Sequence, residues 1–343
     1  MSLWKKIGAA LMVVGLIAVI GTFISVSGQT RPGAQVIRLA HNQQDGTEIA
    51  ETIAKFSDFV AEDPSMDLDI EIYPSGILGT ENEEIEMVQA GILDMAKVGS
   101  QTLSQFDPKY AIFSVPYLFV GQEHYYEALL KSEKVQELFE STADQGFVAI
   151  GYYANGARNF YMVDDICVDD PAKLKGKKIR SMPSATSMDM ISAMGGSPVP
   201  MSSGETYTAL QQGVVDGAEN TELALTVNGH EDLVKSYTYT EHQYSPDIYI
   251  MSTKTWNSLS DAQKQYLKEC LIKTNDNFTQ RYNDMMDEAI AEAIDHGVKI
   301  YRDIDKTSLI ESVRPIAEDF MNKGDDYRAL YEDIQQYAPK GDK

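Results

Sequence analysis

Two copies of one junction constrain this chain most. Gln89-Ala90-Gly91-Ile92-Leu93-Asp94-Met95-Ala96 and Gln211-Gln212-Gly213-Val214-Val215-Asp216-Gly217-Ala218 share a spacing. In each, glycine ends a helix, a strand follows it, and an aspartate stands three residues after the glycine. Helix–glycine–strand junctions are common, so coincidence is the alternative; the matched aspartate favours a repeat. The surroundings agree. Val36–Ala40 reads as a strand, Thr47–Glu62 as a helix and the alternating Leu68–Tyr73 as a strand. Thr80 with Glu83 forms a capping box for the next helix, and Ile92–Val98 is the following strand. The second copy runs from strand Lys177–Arg180 through a helix from Ser184 to Gly195-Gly196. A short strand at Pro198–Pro200, a capping box of Ser202 with Glu205 and strand Val214–Glu219 complete it. Each half is βαβαβ with right-handed crossovers. The pattern predicts two similar α/β lobes facing each other.

The connecting stretches fit two lobes. Tyr110–Val120 is apolar and reads as buried, and Phe147–Tyr153 is a strand that leads into the second lobe. Two extended segments flank Pro246, where the chain returns to the first lobe. Residues 261–296 contain neither glycine nor proline, with a capping box of Ser260 and Gln263 before them and Gly297 after. A continuous helix there spans ~54 Å, enough to run along both lobes. The alternative is an ordinary pair of surface helices. Ser308–Met321 is a last helical stretch, expected to kink or break at Pro315. The expected division is residues 36–155 with 246–285 as lobe I, and 156–245 with 286–335 as lobe II.

Composition excludes several functions. The 343 residues carry 29 basic and 52 acidic side chains, a net charge of −23. Such a surface repels nucleic acid and anionic lipid. Any anion site must therefore be local, and the chain has only eight arginines to build it. Lys5 and Lys6 precede an uncharged run of 20 residues from Ile7 to Val26. Residues 1–28 thus read as an export signal or an uncleaved membrane anchor, which places the remainder outside the membrane. Cys167 and Cys270 form no metal-type cluster and read as isolated thiols, and the five histidines show no HxxxH spacing. Neither a metal nor a cofactor is expected. There is no GxSxG, GxGxxG, P-loop or HExxH motif, so no enzyme class is indicated.

Candidate ligand residues share one topological position. Arg180 ends a strand, and ligands of open α/β sheets bind at the carboxyl ends of strands. Its guanidinium can take a carboxylate in bidentate fashion, although a structural salt bridge is the commoner fate of an arginine. Arg158, in Tyr152-Tyr153-Ala154-Asn155-Gly156-Ala157-Arg158, follows a strand and is the second cation candidate, with the same alternative. Asn220 ends a strand, and His41 with Asn42 follows the first strand.

With these residues in place, the chain resembles the solute-binding proteins of tripartite ATP-independent periplasmic (TRAP) transporters. Leu39-Ala40-His41-Asn42, the stretch from Tyr73 to Val98, Phe113–Phe119, Gly156–Tyr161, Leu174–Ser184, the stretch from Pro200 to Asn220 and Ser252–Ser260 all occur in family order. The resemblance implies a two-lobed periplasmic-binding-protein-like α/β fold with a hinge and a long helix across both lobes. It implies a monomeric extracytoplasmic receptor that closes on an organic acid and delivers it to the permease subunits of a TRAP transporter. Arg180 matches the arginine that takes the ligand carboxylate, Arg158 a second arginine near it, Asn220 the asparagine of a D-G-x-E-N motif and Asn42 a polar position in the first loop. The branch that it resembles most handles hexuronates and other sugar acids. Such ligands need hydroxyl partners, for which His41, Asn42, Glu81, Lys97 and Asn220 are candidates. Gly99 stands where sialic-acid binders carry an acidic residue, which argues against sialate. Ser181-Met182 replaces the commoner Val-Pro after Arg180, so Met182 is expected in the pocket wall. C4-dicarboxylates and 2-oxo acids remain alternative ligands, and a sensory ligand-binding protein is the alternative role. A lyase or isomerase would need a general base beside Arg180, and no residue is marked as one.

Overall fold

The computed structural model describes residues 31–339; the expected signal or anchor at residues 1–28 lies outside them. Eleven strands form two sheets among the described residues. They are β1 (Gln35–His41), β2 (Leu68–Tyr73), β3 (Met95–Gly99), β4 (Phe147–Tyr153), β5 (Ala157–Met162) and β6 (Lys178–Ser181). β7 (Ser197–Pro200), β8 (Gly217–Asn220), β9 (Ser236–Tyr244), β10 (Asp247–Ser252) and β11 (Lys299–Tyr301) complete the set. The first sheet has the order β2-β1-β3-β10-β4, and the second β11-β9-β5-β8-β6-β7. β1 pairs in parallel with β2 and β3, and β6 in parallel with β7 and β8. β10 runs antiparallel to its neighbours β3 and β4, and β5 to its neighbours β8 and β9, while β9 pairs in parallel with β11; β5 and β10 each stand next to a crossing between the sheets.

The repeated junction is the same piece of backbone twice. Gly91 and Gly213 take left-handed φ values of 66° and 68°. The amides of Ile92 and Leu93 both donate to the Met87 carbonyl, and those of Val214 and Val215 to the Ala209 carbonyl. This closure satisfies carbonyls that the helix end leaves unpaired. It also delays the strands, which start at Met95 and Gly217, later than the hydrophobic runs at Ile92 and Val214 imply. The matched aspartates perform one task. Asp94 accepts from the Arg38 amide on β1 at 3.2 Å, and Asp216 from the Lys178 amide on β6 at 2.7 Å. Each pins the entering strand of its half to its neighbour. The three expected capping boxes, at Thr80, Ser202 and Ser260, are all formed.

Three segments connect the sheets. Ala154–Gly156 carries the chain from β4 to β5, so Phe147–Tyr153 itself belongs to the first sheet and β5 is the entry to the second. Ser245 and Pro246 carry it back from β9 to β10. The third segment is a single helix of 35 residues, Asp261–Asp295. Leu267, Leu271, Phe278 and Met285 pack into a core with β1 and β2 residues such as Ile37 and Ile70. Ile290 and Ala293 pack instead with Tyr161, Val215 and Tyr237 of the second half. The helix therefore bridges both cores. It passes so close to the first crossing that a Cβ on Gly156 would stand 1.3 Å from the Tyr282 hydroxyl.

At the C-terminus one expectation is narrowed and one corrected. Thr307–Met321 is helical through Pro315 without a break. The helix Asp325–Gln335, expected with lobe II, packs on the first half. Leu330 and Ile334 share a core with Leu129, Val135 and Leu138, and His124 Nε2 lies 2.9 Å from the Ile334 carbonyl. Its apolar stripe gives the helix a buried face but does not say which core receives it. Cys167 and Cys270 are both free.

Candidate ligand-binding site

Two adjoining hollows lie between the sheets, of about 430 and 90 Å³. Together they reach the range of ordinary ligand pockets, roughly 300–1,000 Å³. Asn42, Glu81 and Met182 line both, and Arg158, Asn220 and Asp247 line the smaller one. Parallel strands β1, β3, β6 and β8 aim their carboxyl ends here, the usual place for a ligand in open α/β sheets.

Arg180 is buried, with 1% of its surface exposed, directly beneath Met182. One terminal nitrogen donates to the Met201 carbonyl at 2.8 Å and lies 3.2 Å from the Met182 sulfur. Its Nε is buried with no hydrogen-bond partner. No carboxylate forms an ion pair with it among the described residues. Burial pulls the guanidinium below the usual arginine range; Arg158 adds to the fall, and the charges of Glu219 and Glu81 offset it in part. The commoner fate of an arginine, a salt bridge, is not the fate of this one.

It is the fate of Arg158. This residue lies inside β5 rather than after a strand, and its guanidinium clasps Glu219 at 2.5 Å through Nε and 3.0 Å through a terminal nitrogen. A second terminal nitrogen donates to Asn220 Oδ1 at 3.0 Å. Burial pushes the Glu219 carboxyl up, but Arg158 and His242 outweigh it and hold it down at about 2. Arg158 and Asn220 thus reach the cleft as one fixed unit. Glu219 is one residue that sequence reasoning missed. It precedes Asn220 on the same strand, but nothing local says that it turns toward β5.

The opposite wall comes from the first sheet. Glu81 opens its helix and accepts from Asn42 Nδ2 at 2.9 Å, the Gly99 amide at 3.1 Å and the Thr102 hydroxyl at 2.5 Å. Its carboxyl is pushed up, first by burial and then by Asp247. Lys97 is buried, forms an ion pair with Asp247 and lies 4.8 Å from the centre of the Tyr153 ring. Asp247 is a second missed residue, at the start of β10 beside Pro246. His41 is also buried, accepts from the Gln43 amide at 3.2 Å and is lowered to about 3 by burial, with Lys97 adding to the shift. His41 and Lys97 therefore stand behind the cleft wall and do not line the hollows. Of the eight candidates, Asn42, Glu81, Met182, Arg158 and Asn220 reach the hollows; Arg180 lies one side chain beneath. Among the described residues, no helix is long and apolar enough to cross a membrane.

Two α/β lobes, crossed by two extended segments and one long helix, with an uncommitted cation beneath the cleft, define a two-lobed solute receptor. The model of the bacterial extracellular solute-binding proteins, family 7, matches residues 39–324, and the chain belongs to that family. It is 38% identical over 305 residues to the Salmonella typhimurium protein YiiZ, covering 88% of this chain and 92% of that one. Its fold is similar to that of a TRAP periplasmic solute-binding protein from Anaerococcus prevotii with bound α/β-D-glucuronate. The TM-score is 0.83 at 32% identity, over 88% of this chain and 98% of the other. A TRAP solute-binding protein from Bradyrhizobium in complex with α/β-D-galacturonate gives a TM-score of 0.83 at 27% identity, over 88% and 100% of the two chains.

Proposed function

We propose that this chain is the extracytoplasmic receptor of a TRAP transporter, and that it takes a hexuronate such as D-glucuronate or D-galacturonate. The observation that carries the reading is Arg180, a buried guanidinium with no carboxylate of its own. A ligand carboxylate completes it, displacing the Met182 thioether that now rests on it.

The charge balance of the cleft supports a single carboxylate on the ligand. Arg158 is neutralised by Glu219 and Lys97 by Asp247, so among the described residues Arg180 is the cation of the cleft without a carboxylate in ion-pair contact. A C4-dicarboxylate would turn its second carboxylate toward Glu81 and Asp247, an unfavourable pairing. Sugar hydroxyls suit the same wall, because Asn42 and Glu81 offer both a donor and acceptors. Arg158 and Asn220 meet the ring from the other side, and His41 and Lys97 hold the wall in place from behind. The bound sugar acids of the similar structures support the same class. Binding shifts the lobes toward the closed arrangement, with residues 154–156 and 245–246 as pivots. The complex then docks on the membrane permease as a monomer. The role is carriage, which the family supports.

Isothermal titration against D-glucuronate, D-galacturonate, D-glucarate, succinate and D-glucose tests this. The uronates bind at one site, and the dicarboxylates and neutral sugar do not. Tight binding of succinate with no binding of uronates would overturn the assignment.

A further inference from the structure

The long helix ends beside a short turn of the second half, His230–Asp232. Glu292 and His296 are four residues apart, so they leave the helix end on one face. Glu231 comes from the facing turn. One donor atom from each of these three lies within 4.8 Å of the others. Glu231 is only 7% exposed, and its Oε2 is buried with no hydrogen-bond partner among the described residues. The fourth member is Asp232, whose Oδ1 is 2.8 Å from His296 Nδ1.

A buried carboxylate oxygen with no partner is unfavourable. Here three carboxylates surround one imidazole, and no lysine or arginine among the described residues forms an ion pair with any of them. The arrangement matches a known device, in which a carboxylate fixes one nitrogen of a histidine so that the other faces a metal. We propose that Glu231, Glu292 and His296 bind a divalent transition-metal cation, with Asp232 as the positioning residue for the imidazole. Two carboxylates and one imidazole suit Zn²⁺, with water in the fourth position. Ligand atoms stand at roughly 2.0–2.2 Å from zinc, so the three must draw together. Glu292 and His296 are exposed at a helix end and have the rotamer freedom to do so. The cation ties the last turn of the long helix to the second lobe. The Glu-x-x-x-His spacing was legible in the sequence, but a search for paired histidines passes over it.

Chelator-stripped protein titrated with ZnCl₂ in a calorimeter tests the site. The expected result is one Zn²⁺ per chain, bound at least about tenfold more weakly by Glu292→Gln and by His296→Ala, and roughly tenfold more weakly by Asp232→Asn. Co²⁺ in place of Zn²⁺ gives a visible d–d band that His296→Ala abolishes. Unchanged D-glucuronate binding and circular dichroism establish that each variant is folded. No saturable zinc binding, or equal binding in Glu292→Gln and His296→Ala, overturns the proposal; zinc held diffusely by the acidic surface gives the second result.

Discussion

Replacing Arg180 by methionine separates the ligand account from a structural one. Methionine is also long and unbranched but removes the charge. The guanidinium is 1% exposed and makes one bond to protein oxygen, to Met201, so its burial is largely uncompensated. An unpaired buried ion costs several kcal/mol even after relaxation. Against this stands the Met201 carbonyl, which loses its donor at about 1–3 kcal/mol. The net expectation is that the ligand-free protein gains about 1–2 kcal/mol, or roughly 1–3 °C in midpoint for a chain of this size. Binding moves the other way. Two charge-assisted bonds to a carboxylate contribute about 1.5–3 kcal/mol each, so their loss weakens D-glucuronate by about 10²–10⁴-fold. Scanning calorimetry with and without D-glucuronate reads both effects. Arg180→Met that binds within threefold of wild type refutes the reasoning. So does a variant whose ligand-free midpoint falls by several degrees, since that result makes Arg180 a structural residue.

Other perturbations follow from the same geometry. Glu84 is fully buried with both carboxylate oxygens unpartnered, and burial, followed by Glu81, raises it to about 8. Its protonated form is the one the fold prefers, so its contribution is complete below the unfolded value of about 4.5 and is lost as pH rises toward 8. Between pH 5 and 8, wild type therefore loses on the order of 2–3 kcal/mol more stability than Glu84→Gln in urea titrations. His41, lowered to about 3, acts in the opposite sense below its unfolded value, which is why the comparison uses the difference between the two proteins. A difference of zero across that window would show that Glu84 is ionised in the fold. Glu219→Gln strips Arg158 and His242 of their common partner, and the midpoint drops by roughly 4–8 °C, in line with the 3–5 kcal/mol of a broken buried pair. A drop under 2 °C would mean that the pair contributes little.

The sequence was most legible where local chemistry decides structure. Gly91 and Gly213, with Asp94 and Asp216, announced two equivalent junctions, and both are built alike. The glycine- and proline-free run after Ser260 announced the long helix. Pairing across elements was less legible. Arg180 and Arg158 look alike in the sequence, both at strands near small residues. Only the register of β5 against β8, which sets Asn159 opposite Asn220, brings Glu219 onto Arg158 and leaves Arg180 unclaimed. Likewise Lys97 and Asp247 meet because β3 and β10 are antiparallel neighbours, a contact across 150 positions. That pairing withdraws Lys97 from the hollows. For the same reason the division that gives residues 286–335 to the second lobe misses that the helix Asp325–Gln335 packs on the first half: its stripe names a buried face and not the core it meets.

The central claim is that Arg180 receives the ligand carboxylate. A crystal structure of the D-glucuronate complex tests it most directly. The account predicts the carboxylate on the Arg180 guanidinium, the Met182 thioether displaced from it, and the ring hydroxyls on Asn42 and Glu81. A carboxylate bound elsewhere in the cleft, with Arg180 still resting on Met182 and Met201, would contradict it.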